Sequence, residues 1–129
     1  MVITAARGHI TSRSQAVLVL SVIAATVDSV SMNIDVSLTI RELKDERERA
    51  GVTALLTDVL ENARLNREVF ITLGEVGERL FVRADSDYPV IFSRFALWSE
   101  DFEQKLTRRV AALVPHAQVD FDWGYPDEY

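Results

Sequence analysis

Residues 33–41 read "NIDVSLTIR" and alternate strictly, with Ile34, Val36, Leu38 and Ile40 on one side and Asp35, Ser37 and Thr39 on the other. Successive side chains of a strand point to opposite faces, so this spacing predicts a strand that buries one face. The polar run "RELKDERERAG" at 41–51 then leads to a helix, in which Val52, Leu55, Leu56, Val59, Leu60 and Ala63 keep three- and four-residue spacing. That helix is expected to end near Asn66.

Further along, "EVFITLGEVGERLFVRA" at 68–84 reads as a hairpin, with Gly74 and Gly77 available for positive backbone angles. "YPVIFSRFALW" at 88–98 is expected to form a third neighbouring strand, with Pro89 confined to its start. Ser99 is placed as the cap of a following helix, with Glu100 and Asp101 in its first turn. Phe102, Leu106, Val110 and Leu113 make the inner face of that helix, and Pro115 helps to stop it. "QVDFDW" at 118–123 is the last strand.

Upstream, "RGHITSRSQAVLVLSVIAATV" at 7–27 has Arg7 and Arg13 before an apolar stretch closed by Ala24 and Ala25, the layout of a secretory signal. The stretch is too short to span a bilayer. Ser14, Ser21 and Asp28 recur every seven residues as one polar stripe, which predicts a buried first helix over 14–28. A short strand at "VITA" is a further candidate. The pattern predicts a single α+β domain over 1–129, with an antiparallel or mixed sheet of four to five strands packed with three helices.

A chain of 129 residues is long enough to build a core without staples, and this one has no cysteine to make them. That excludes thiolate metal sites and cysteine nucleophiles. It points to the cytoplasm, with secretion or a periplasmic location the alternative if residues 1–25 act as a signal. The net charge is −6, and the excess is one-sided: residues 68–129 hold twelve acidic against six basic side chains, whereas residues 1–67 hold eight of each. Nucleic acids are bound by neutralising phosphates, so an acidic chain without a basic stripe suits a basic protein partner instead.

Motifs for catalysis are weak. "GEVG" at 74–77 has glycines at the spacing of a backbone clamp, but Glu75 and Glu78 would repel phosphate. His9 and His116 are isolated, which leaves zinc without a ligand set and no nucleophile with an assigned base. "RELKDERER" mixes signs, and "KLTRR" at 105–109 lies on an outer helix face where Glu100, Asp101 and Glu103 balance it. Two Asp-x-Asp pairs remain, Asp85 with Asp87 and Asp120 with Asp122. They suit a hard cation or shared acid/base work, the basis of an alternative reading as a small metal-dependent hydrolase. An assembly or ligand-binding subunit is a third reading. In the leading reading there is no metal, no cofactor, no membrane and no catalytic residue.

The ending "VDFDWGYPDEY" at 119–129 carries that reading. Val119, Phe121 and Trp123 face inward and anchor the segment, leaving Asp120, Asp122, Tyr125, Asp127, Glu128 and Tyr129 to form a rigid acidic-aromatic surface. Trp98, Glu100 and Asp101 in "FALWSEDFE" at 95–103 make a second such stretch. With the acidic excess and the lack of a catalytic motif, these stretches make the chain resemble small α+β bacterial immunity proteins of the polymorphic-toxin type. The resemblance implies a non-enzymatic protein that binds and neutralises a cognate toxin domain.

Overall fold

A computed structural model describes residues 31–126 of the chain. Ile34, Val36, Leu38 and Ile40 are each at most 2% exposed, as their alternation requires, but the extended run changes partners midway. Its first part, β1 (Ser31–Ile34), pairs antiparallel with β5 (Val90–Ser93) in a two-stranded sheet. Asp35 and Gly124 then exchange two backbone hydrogen bonds of 2.9 Å. The second part, β2 (Ser37–Leu43), lies between β4 (Arg79–Ser86) and β6 (Gln118–Phe121). One face stays inward throughout while the hydrogen-bonding neighbour switches.

Near its end β2 carries a bulge between Ile40 and Leu43, where Glu42 adopts a left-handed φ of 67°. The extra residue resets the alternation, so Leu43 is fully buried although its number breaks the even series.

The polar run that follows is itself helical. Helix α1 spans Glu46–Asn62, starting well before the expected apolar stretch. Asp45 caps it by accepting from the Glu48 amide at 2.9 Å, while Glu48 reaches back to the Lys44 amide at 2.7 Å. The signature was present in the Asp-x-x-Glu spacing. The far end stops at Ala63, short of Asn66, because Arg64 turns left-handed (φ 61°) and the Leu65 amide closes on the Leu60 carbonyl at 2.8 Å.

The hairpin forms as expected from β3 (Val69–Val76) and β4. Its two glycines act differently. Gly77, at φ +61°, makes the turn. Gly74 is instead a cross-strand seat for the Phe81 ring, since a Cβ there would lie 2.3 Å from Phe81 Cζ. The expected third neighbour of this hairpin is displaced: β5 is only four residues long and pairs with β1 in the other sheet.

Phe95 to Trp98, read as strand, open helix α2 (Phe95–Leu113). Arg94, left-handed at φ 53°, occupies the cap position, so the expected Ser99 cap is overturned. Ser99 is fully buried inside the helix and its hydroxyl donates to the Ala96 carbonyl. Phe102, Leu106 and Val110 face inward as expected, whereas Leu113 is half exposed and Val114 takes the buried position.

The strand order β3-β4-β2-β6, antiparallel throughout, with α1 linking β2 to β3 and α2 on the path from β4 to β6, is the ferredoxin-like pair of split βαβ units. Helix α1 packs on β2 and β4, and α2 on α1 and β6. The described residues therefore form a single α+β domain with two sheets and two helices. The expected helix over 14–28, the strand at "VITA", His9 and the tail residues Asp127, Glu128 and Tyr129 lie outside the described residues.

Candidate functional site

Strand β6 pairs with β2 in the register Leu38↔Phe121, Thr39↔Asp120 and Ile40↔Val119. Paired residues share a face, so Phe121 turns in with Leu38 while Asp120 turns out. The chain stays pinned beyond the strand. The Asp122 amide donates to the Ser37 carbonyl at 2.8 Å, and Gly124 closes the bridge to Asp35. Asp120 and Asp122 are both exposed, as the sequence pattern required.

Beneath them lies an aromatic cluster. Trp123, 2% exposed, meets Phe95 edge-on at 5.4 Å and stacks with Phe121 at 5.9 Å, and Trp98 stacks on Phe102 at 4.8 Å. The Trp123 indole donates to Glu103 Oε2 at 2.6 Å. Glu103 is therefore part of this core and does not balance the basic cluster of α2. Its position was readable: Phe95, Ser99, Glu103, Leu106 and Val110 lie on one helical stripe. A carboxyl is tolerated there because the indole hydrogen bond offsets part of its desolvation.

Tyr125 belongs to the same core at 4% exposed, edge-on to Phe95 at 6.0 Å. Its expected place on the contact surface is corrected accordingly, since a ring packed this way supports the surface from below.

The acids above the cluster separate into two kinds. Asp120 holds Arg41 at 2.6 Å on the open face of the sheet, and this hydrogen bond keeps the guanidinium pKa above its ordinary value. Asp85 holds Arg83 at 2.9 Å and accepts the Ser37 hydroxyl at 2.8 Å. Asp35 and Asp122 have no ion pair among the described residues. These last two open with Asp85 onto one cleft of about 230 Å³ at the strand ends, floored by Ser37, Ser86 and Gly124. Among the described residues that line it, Arg83 is the one cation.

Of the four aspartates read as two pairs, only Asp85 and Asp122 share this cleft, each joined there by Asp35 rather than by its sequence partner. Asp35 was missed because its place in the first strand read only as an outward polar position. Among the described residues no three His, Asp or Glu side chains form a group able to hold a metal.

The second expected stretch lies elsewhere. Trp98 and Asp101 line a groove of about 420 Å³ between the two helices, with Val59, Ala63 and Phe102 as its apolar wall and Lys105, Arg108 and Arg109 at its rim. Lys105 pairs with Asp101 at 2.9 Å and Arg109 with Asp58 at 3.0 Å. That rim is predominantly basic, so Trp98 and Asp101 do not extend the acidic surface, and Glu100 lies outside the groove's lining. His116, in the turn between α2 and β6, pairs with Glu48 in the first turn of α1 at 2.9 Å.

Comparison with known proteins places the fold alone. The chain matches no protein-family model and no curated protein. A solved structure, the de novo designed protein Foldit4, is similar in fold, with a TM-score of 0.50 and 14% identity over 71% of this chain and 96% of that one.

Proposed function

We propose that this chain is a non-enzymatic protein-binding module whose strand-end cleft receives Lys or Arg side chains from a basic partner. The lining of one cleft by Asp35, Asp85 and Asp122, with Arg83 paired to Asp85 there, carries this reading. A cation entering the cleft meets two carboxylates without an ion pair, on a frame that the Trp123 anchor holds in place. Preorganised charge of this kind raises association rate and selects against acidic competitors. Asp120 adds to the field at the rim, where its effect is smaller because Arg41 already neutralises it.

The specific form of the reading is an immunity protein acting in the cytoplasm, the partner being the basic surface of a toxin domain that the module occludes. The acidic excess of the second half and the lack of a residue with an assigned catalytic role support it. Among the described residues no helix is long and apolar enough to cross a membrane. Capture of partners from the source cell on immobilised protein tests the proposal. A stoichiometric basic protein, displaced by salt, is expected. Recovery of no protein, together with turnover of a small-molecule ester or phosphate, would replace it with the hydrolase reading.

A further inference from the structure

Strand β3 closes one side of the four-stranded sheet, and among the described residues β4 is its one strand neighbour. It pairs with β4 without a break from Val69↔Ser86 to Val76↔Arg79. Natural edge strands are commonly kept short, bulged, or marked by Lys or Pro, since a free row of N–H and C=O groups templates pairing with another strand. β3 has none of these features: it is eight residues long, unbulged, and reads VFITLGEV. The opposite edge, β6, has four residues and carries Asp120. One device does touch β3, the Arg49 guanidinium on the Gly74 carbonyl at 3.0 Å.

Three of its side chains are large, apolar and in solvent: Phe70 (51% exposed), Leu73 (50%) and Val76 (71%). We propose that β3 pairs antiparallel with β3 of a second copy of this chain, joining two four-stranded sheets into one of eight strands. The spacing of the exposed residues selects the occupant. An antiparallel pair related by a twofold axis perpendicular to the sheet brings residues of equal parity opposite each other, because paired residues share a face. With the axis at Leu73, that residue meets its own copy and each Phe70 meets the Val76 of the other chain, so all three are covered at once. A shift of two residues in one direction sets Val76 against Glu68. In the other direction it sets Leu73 against Glu75. The Leu73-centred register alone of these three keeps carboxylates away from the exposed apolar residues. The acidic cleft, at the ends of β2 and β4 on the side of Gly124, stays open in such a dimer.

Sedimentation velocity on the full chain gives the mass, and the absence of native cysteine allows a second, independent readout. The parent is expected at twice 14.5 kDa and a Phe70→Lys, Val76→Lys variant at 14.5 kDa with an unchanged circular dichroism spectrum. Under mild oxidation Leu73→Cys is expected to cross-link to its own copy, since directly opposed Cβ atoms lie about 4.5–5.5 Å apart. Ile91→Cys, at a position 69% exposed on the other sheet, is expected to stay monomeric on a non-reducing gel. A parent of 14.5 kDa at every concentration would overturn the proposal, even if β3 then captured the strand of a different protein. So would a dimer that survives both lysines, or one in which Ile91→Cys cross-links as readily as Leu73→Cys.

Discussion

Glu103 and Trp123, twenty residues apart, meet in the core through a 2.6 Å hydrogen bond from indole to carboxylate. The bond ties the middle of α2 to the segment that follows β6, and thus fixes the backbone from which Asp122 projects. Removing the donor with Trp123→Phe preserves most of the ring packing but takes from a buried carboxylate its indole partner. The expected loss is about 2–3 kcal/mol in urea unfolding, because hydrogen bonds to buried charged groups are costly to break on one side. Glu103→Gln, which keeps an acceptor, is expected to lose less. Equal stability of Trp123→Phe and the parent would show that the bond does not anchor the segment.

The Gly74–Phe81 pair makes a second prediction. A Cβ at residue 74 would sit 2.3 Å from the Phe81 ring, so Gly74→Ala must displace it, at a cost of about 1–3 kcal/mol. Shortening the ring in a Gly74→Ala, Phe81→Leu double variant is expected to recover part of that loss. Thermal unfolding of these two variants and of Phe81→Leu alone checks both signs. Additive losses would mean that the two residues are not coupled.

The Glu48 carboxyl is held below its ordinary value of 4.5, first by the Lys44 amide and then by His116, against a smaller opposing effect of desolvation relative to the amide. A carboxyl whose folded pKa is depressed binds protons more readily in the unfolded chain. Its contribution is therefore present above pH 4.5 and is lost as pH falls through the lower folded value. Stability of the parent is expected to fall more steeply with acid in that window than that of Glu48→Gln, measured by urea titration at several pH values. Parallel slopes would contradict the assignment.

Much of this architecture was legible in the sequence, and the misreadings have physical causes. Alternation at Ile34, Val36, Leu38 and Ile40 reported the buried face correctly, because periodicity encodes facing. It carries no information on which strand supplies the hydrogen bonds, so the change of sheet at Asp35 was invisible. The start of α1 was written in Asp45 and Glu48 but hidden behind their charge. Ser99 and Glu103 looked like a cap and a surface acid by residue type, while their spacing placed both on the inner stripe of α2. Within the candidate site, Asp120 and Asp122 were correctly read as outward. Tyr125 was misread because its contact with Phe95 arises only when β6 docks. Asp35 joined the cleft by a bridge to Gly124, eighty-nine positions away, a contact that no local pattern announces.

The two Asp-x-Asp pairs yield a prediction that separates binding from metal chemistry. With Arg41 on Asp120 and Arg83 on Asp85, a divalent ion would have to displace a cation at either place. Calorimetric titration with magnesium or calcium is expected to show no stoichiometric site and no rise in Tm. A micromolar site abolished by Asp85→Asn, Asp122→Asn would support the hydrolase reading instead.

Under the proposed function, the cleft of Asp35, Asp85 and Asp122 receives a partner's cation. The direct measurement is the Kd of the captured partner for the parent, for Asp35→Asn, Asp122→Asn, and for Asp120→Asn, with Tm recorded for each. Loss of the carboxylates that face a desolvated cation costs about 2–5 kcal/mol, roughly 30-fold or more in Kd. That loss is expected for the cleft variant at unchanged Tm, whereas Asp120→Asn should alter chiefly the association rate and its salt dependence. A folded Asp35→Asn, Asp122→Asn variant that binds as tightly as the parent would contradict the account.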